Sequence, residues 1–312
     1  MKKFVNNILA ASMIATSIAS AGPASAQIDM DAIMMNKKQF CQGLVYDYSS
    51  WDHYWEGTFK RDNENLGTVS SQMLMYMPNY GITNNLNVMA SVPYAWTKAS
   101  QGVLHGMKGF QDLSVFVKWR PLVKSFGKNQ FSLFTIGGFT TPLSDYVIEF
   151  LPMSIGLGST NLIGRGMIDY RRGNFTATGS AAYIWRSNVT LDKDAYYDTE
   201  LHLTDEVQMP NQTLYQLRTG YRGKYLIAEA LLTNMITHGG YDITKNNGQL
   251  YPNLRMNSTM VGANIKYTVK SYTNLSVVAG ANYTIAGRNV GQSRAFNVGA
   301  FYVFYVGKKA KS

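Results

Sequence analysis

Past residue 26 the sequence holds no apolar run near the roughly 20 residues that a membrane-spanning helix needs, which excludes a helical membrane protein. It has a single cysteine, Cys41, so no disulfide framework can staple it, and no lipid-attachment sequence precedes that residue. A free buried thiol is the expected state. Histidines number only four and are badly placed for catalysis. A serine hydrolase on a strand needs histidine and serine within hydrogen-bond reach, most simply two positions apart on one face. His53, His105, His202 and His238 have no serine at that spacing, and only a spatial meeting of His53 with Ser49 or Ser50 is left. Acids are short as well: 19 Asp and Glu stand against 29 Lys and Arg.

At the N-terminus, Lys2 and Lys3 precede an apolar run from Ile8 to Ala21 and then Ala24-Ser25-Ala26. This reads as a signal peptide over residues 1–26, cleaved before Gln27, so the mature chain is expected to be exported. Its loss lowers the formal +10 by the two lysines.

The remainder alternates. Leu275, Val277, Ala279, Ala281, Tyr283 and Ile285 interleave with Asn274, Ser276, Val278, Gly280, Asn282 and Thr284. One face suits lipid and the other water. The same split runs through residues 175–186 and 112–120. Strands are expected at about 41–55, 67–78, 85–97, 110–120, 130–141, 160–171, 174–187, 211–222, 224–236, 254–269, 273–287 and 294–306. That makes an all-β antiparallel transmembrane barrel of about twelve strands, the even number bacterial barrels use, and a mean hydropathy of -0.15 does not oppose it.

Connections alternate in length. Short ones fall at 81–84, 172–174, 222–224 and 270–273, with 122–129 somewhat longer; long ones fall at 56–66, 98–109, 142–159, 188–210, 237–253 and 287–293. Short turns belong on the periplasmic side, which puts both termini there. Trp119, Tyr170, Tyr221 and Tyr267 near the turns, and Tyr94, Trp96, Tyr183, Trp185 and Tyr215 near the loops, read as two interfacial girdles. A soluble closed barrel of this strand number would leave a bore too wide for side chains to fill. With no internal repeat or linker, residues 41–307 form one outer-membrane barrel, preceded by a periplasmic or lumen-plugging segment at 27–40 and followed by a basic tail at 308–312.

Basic residues gather near the turns: Lys118, Arg120, Lys124 and Lys128; Arg171 and Arg172; Arg218, Arg222 and Lys224; Lys266 and Lys270. They are expected to ring the periplasmic mouth and meet anionic headgroups or water, with no nucleic acid as partner. Alternation turns Arg165, Asp169, Arg186, Arg218 and Glu229 inward, where they line a pathway or pair with one another. The acids Asp192, Asp194, Asp198, Glu200, Asp205 and Glu206 match no EF-hand spacing and read as a solvated loop. Met30, Met34, Met35, Cys41 and His53 read as packing residues, so neither metal nor cofactor is expected. In the segment before the first strand, Met30, Ile33 and Met34, with Phe40, share a helical face suited to plugging the lumen. The loop holding Tyr146, Ile148, Phe150 and Leu151 is greasy, and it folds inward, offers an apolar access site or packs on its own rim.

The segments Asn79-Tyr80-Gly81-Ile82-Thr83-Asn84-Asn85-Leu86, Ala90-Ser91-Val92-Pro93-Tyr94, Gly109-Phe110-Gln111-Asp112-Leu113-Ser114 and Lys118-Trp119-Arg120-Pro121 resemble the Y-G-[IL]-T-x-x-L, A-S-[VL]-P-Y, G-x-x-D-L and K-[YW]-R-x signature of the meta-pathway phenol-degradation family. That resemblance covers residues 67–121 and lends only architecture elsewhere. The family's proteins are distantly similar to channels for long-chain fatty acids and aromatic hydrocarbons. The resemblance implies an outer-membrane transporter for a small hydrophobic or aromatic solute, with outer-membrane lipid and the barrel-assembly machinery as its other partners and no covalent chemistry. A lipid-acting barrel enzyme and a structural or adhesive barrel are the alternatives.

Overall fold

The computed structural model describes residues 28–244 and 249–307, so the leader and the basic tail lie outside the described residues. Twelve long strands carry the fold: β1 (Gln39–Trp51), β2 (Val69–Gly81), β3 (Leu86–Ala99), β4 (Asp112–Phe126), β5 (Asn129–Pro142), β6 (Asn161–Arg172), β7 (Phe175–Arg186), β8 (Asn211–Arg222), β9 (Leu226–His238), β10 (Asn257–Thr268), β11 (Leu275–Arg288) and β12 (Arg294–Tyr305). Each pairs antiparallel with the next, and β1 pairs with β12 through Gln39↔Tyr305 to Ser50↔Arg294, which closes the barrel. Closure leaves no unpaired edge, the condition for burying strands in hydrocarbon.

All twelve expected strands are present, with three differences in detail. The first ends at Trp51, and His53–Glu56 instead pairs with Phe59–Asp62 as a hairpin in the first outer loop. The turn expected over 122–129 shrinks to Gly127 and Lys128, because Phe126 pairs with Asn129. Pro121 has no N–H for the ladder, and a register shift between Trp119 and Leu122 absorbs it while the strand runs on. Gly127 supplies the positive φ of 58° that so tight a turn requires. A shorter bulge admits Gln111, where Lys108–Phe110 continues the pairing of β3 beyond Ser91↔Ser114.

The facing pattern follows the alternation. Val277, Tyr283, Ile285, Phe296 and Val298 are exposed on the lipid side, whereas Ser276 and Thr284 are buried inside. Trp119, Tyr221 and Tyr267 near the turns and Trp185 and Tyr215 near the loops are exposed at the two rims. An apolar outer band between aromatic girdles around a closed antiparallel barrel places the chain in an outer membrane.

Candidate functional site in the barrel lumen

Inward parity and register together decide which side chains meet inside. The ladder sets Asn87 beside Lys118, Lys118 beside Ile136, and Ile136 beside Arg165 on four consecutive strands. All four point inward and are almost fully buried. They are buried because residues 28–36 lie against them. Lys118 Nζ donates to the carbonyl of Ile28 at 2.5 Å, to that of Asp31 at 2.7 Å and to the Asp31 carboxylate at 3.1 Å. Arg165 pairs with Asp29 at 3.2 Å, and the Asn87 amide donates to the Met35 carbonyl at 3.1 Å. Gly81, where β2 ends, lets the segment pass: a Cβ there would stand 2.1 Å from the Asn36 carbonyl oxygen.

Residues 28–38 form a turn at Asp29 and Met30 followed by non-helical chain, so the expected helical face is absent. An Asp31 carboxylate that accepts from the N–H groups of Ile28 and Ile33 closes the turn locally and competes with helix formation. Met30, Ile33 and Met34 nonetheless meet the lumen wall. Gln216 donates to the Met30 sulfur at 3.4 Å, Met34 packs with Phe134, Ile136 and Met167, and Ile33 borders two cavities. Phe40 belongs to the lipid side of β1, where its ring lies 5.4 Å from that of Phe304. Cys41 is free and buried, packed with Met35, Val45, Phe301 and Val303.

Below the segment the luminal charges form a network. Asp169 and Glu229 share Arg222, at 3.4 and 2.8 Å, and Glu229 also holds Arg218 at 2.9 Å. Thr178 donates to Asp169 at 2.6 Å. Four of the five inward charges read from sequence therefore share one luminal region, paired with one another or with the N-terminal segment. Arg186 stands apart at the outer end, bonded to the Pro210 carbonyl.

The basic cluster divides, which corrects the expected periplasmic ring. Arg120, Lys124, Lys128, Arg171, Arg172, Lys224 and Lys270 are at least partly open at the mouth, but Lys118, Arg218, Arg222 and Lys266 are buried inside the bore. The alternation in β4 already turned Lys118 inward, and that was the available signal. Asp29 and Asp31, which the sequence reading passed over, were visible as the only acids between residue 27 and Asp47.

Two cavities flank the segment. One, of about 230 Å³, has an apolar wall of Val45, Met75, Met77, Val278 and Phe301 and is also bordered by Asp31, Asp47, Arg218, Glu229 and Lys266. The other, of about 490 Å³, opens at the periplasmic end. Both are bordered by Ile33, Ile227 and Lys266.

At the outer end three long loops share an apolar core of Val189, Leu191, Tyr196, Val207, Tyr241 and Leu254, against which Ile148 and Leu151 pack. Tyr146 donates to Asp112 at 2.6 Å, and its hydroxyl lies raised above its usual range by burial and by that carboxylate. Phe150 is half-buried in the same loop. Asp198 is not a solvated acid. Burial pushes its carboxyl up, but hydrogen bonds from the Thr199 N–H, the Asn253 amide and His202 outweigh burial and hold it below the ordinary carboxylate range. Among the described residues no group of three or more His, Cys, Asp or Glu could hold a metal ion. His53 bonds to Asp52 and Asp62, and His238 to Thr213.

No protein-family model matches the sequence, and no curated protein sequence matches it. Among solved structures, an outer membrane channel from Pseudomonas putida F1 superposes with a TM-score of 0.70 at 12% identity, over 90% of this chain and 100% of that one. The NanC porin gives 0.46 at 11% identity, over 84% and 98% of the two chains. The CymD monoaromatic hydrocarbon channel gives 0.43 at 10%, over 88% and 90%. At such identities the first likeness is one of fold, and with the lumen just described it defines the chain as a twelve-stranded β-barrel of the outer membrane.

Proposed function

We propose that the chain is a passive outer-membrane channel for small hydrophobic or aromatic solutes, akin to the meta-pathway phenol-degradation family, and that residues 28–36 are its plug. The observation that carries this reading is the pair of cavities meeting at Ile33, one of them with an apolar wall. A purely structural barrel has no need of a bore divided by a separable segment. Arg165, Asp169, Arg218 and Glu229 line the route, Arg186 stands at its outer end, and Met30, Ile33 and Met34 obstruct it. Tyr146, Ile148, Phe150 and Leu151 belong to the apolar loop layer that a solute crosses at the outer end, leaving one low-polarity environment for another. No covalent step is involved.

Deleting residues 28–36 tests the reading. The truncated barrel, assembled in liposomes, is expected to leak small polar solutes well above the parent rate. A truncated protein that shows heat-modifiable barrel migration yet leaks no faster than the parent would remove the channel reading in favour of the structural one.

A further inference from the structure

The periplasmic end of the bore is chemically lopsided, and the lopsidedness has a sign, whereas the apolar cavity beside it is mixed, with Asp31, Asp47 and Glu229 against Arg218 and Lys266. The periplasmic cavity is lined by Arg120, Arg171, Arg222, Lys224 and Lys266, with Asp169 as its only carboxylate. Asp169 is already engaged by Arg222, Thr176 and Thr178. Higher up, the carboxylates that meet Lys118 and Arg165 come from the plug itself, as Asp31 and Asp29. Arg165 is 5% exposed, and its Nε and Nη1 have no hydrogen-bond partner; Arg222 Nε is likewise buried without one. Buried guanidinium donors left unmade are costly and mark where an acceptor is wanted.

The apolar half of the route is built by register. The ladder runs from Lys266 to Val278, from Val278 to Gly299, from Gly299 to Val45 and from Val45 to Met75. One row across the wall therefore passes from ammonium to thioether. Phe301 and Met77 thicken its apolar end.

We infer that the solute class is the small amphipathic organic anion, an aromatic or aliphatic monocarboxylate whose head takes the place of the Asp31 carboxylate, which borders the apolar cavity, while its body lies along Val45, Met75, Val278 and Phe301. This rests on the channel reading above and narrows its solute. Carboxylate and plug compete for the same cations, so the solute itself weakens the hold of the plug. The cations of the periplasmic cavity also focus potential between low-dielectric walls, which raises the local concentration of anions there and repels cations. A neutral hydrocarbon gains nothing from either feature.

The test uses the full barrel carrying Asp29→Asn and Asp31→Asn, which removes the plug's charges and leaves the wall intact. Single channels in planar bilayers are measured under gradients of potassium benzoate, potassium acetate and benzylammonium chloride. Benzoate is expected to permeate about fivefold or more better than benzylammonium. Benzoate is also expected to compete with chloride at roughly tenfold lower concentration than acetate, because a phenyl ring adds apolar area to bury. Lys224→Gln with Arg171→Gln, both at the open mouth, should lower the anion preference while conductance persists. Conducting channels that prefer benzylammonium, or that treat benzoate and acetate alike, would overturn the anion assignment and leave the channel reading standing. Assembled protein that never conducts would remove the channel reading, and the anion assignment with it.

Discussion

Lys118 shows how far one side chain's role depends on the chain that lies against it. Its inward direction was legible in the alternation of Leu113, Val115, Val117 and Trp119 on the opposite face. Its burial was not. Lys118 pairs with Asn87, one residue in from the start of β3, and Trp119 beside it stands at the rim, so strand length alone does not enclose the ammonium; residues 28–31 lying against it do. A lysine so enclosed needs partners, and among the described residues the N-terminal segment supplies them. Removing one partner of a buried pair costs about 3–5 kcal/mol, because the other charge is stranded. Lys118→Met should therefore strand Asp31 and shift the plug towards release by at least about a hundredfold. The check is the rate at which a periplasmic thiol reagent labels Met30→Cys in a Cys41→Ser background. An unchanged labelling rate would mean that apolar packing of Ala32, Met34 and Met35 holds the segment without the ammonium.

At the scale of elements, strand identity and facing were the most legible layer, since a period of two carries both at once. What alternation does not carry is how crowded an inward position is. Ser276 and Asn297 both face inward, but Ser276 is 1% exposed and bonded to Thr268, whereas Asn297 borders the amphipathic cavity. Only Asn297 has room for a longer side chain. Ala279 is exposed at mid-strand on the lipid face of β11. Arginine near the bilayer midplane on that face costs about 2–4 kcal/mol. Ala279→Arg is therefore expected to impair assembly and Asn297→Arg to be tolerated, read as the heat-modifiable fraction on gels. Equal loss from both would mean the β11 and β12 facing is assigned to the wrong sides. The N-terminal segment marks the opposite limit of legibility. Its apolar spacing fits a helix, but the Asp31 carboxylate caps its own turn, and a tertiary site settles the conformation.

For the molecule as a whole, the proposed channel has two obstructions, residues 28–36 and the loops at its outer end. The loop core of Val189, Leu191, Tyr196, Val207 and Tyr241 was not legible from sequence, because it joins residues from separate loops that carry no shared period. Only the greasiness of residues 146–153 hinted at it. A third cavity, of about 260 Å³, is lined by the loop residues Gly156 and Leu157 together with the inward wall residues Asp112, Arg186 and Gln212, so this loop reaches the inner wall at the outer end. Obstructions along one path add as resistances, and relieving either alone leaves the other in control. Val189 and Val207 are directly paired, so residues 190–206 can be replaced by two glycines without stretching the chain. Conductance of the plug deletion, the loop truncation and their combination then separates the cases. In series, the combined variant should conduct more than the two single gains added together. A combined variant equal to the plug deletion alone would show that the loops are permeable as they stand, and that residues 28–36 are the sole closure of the bore.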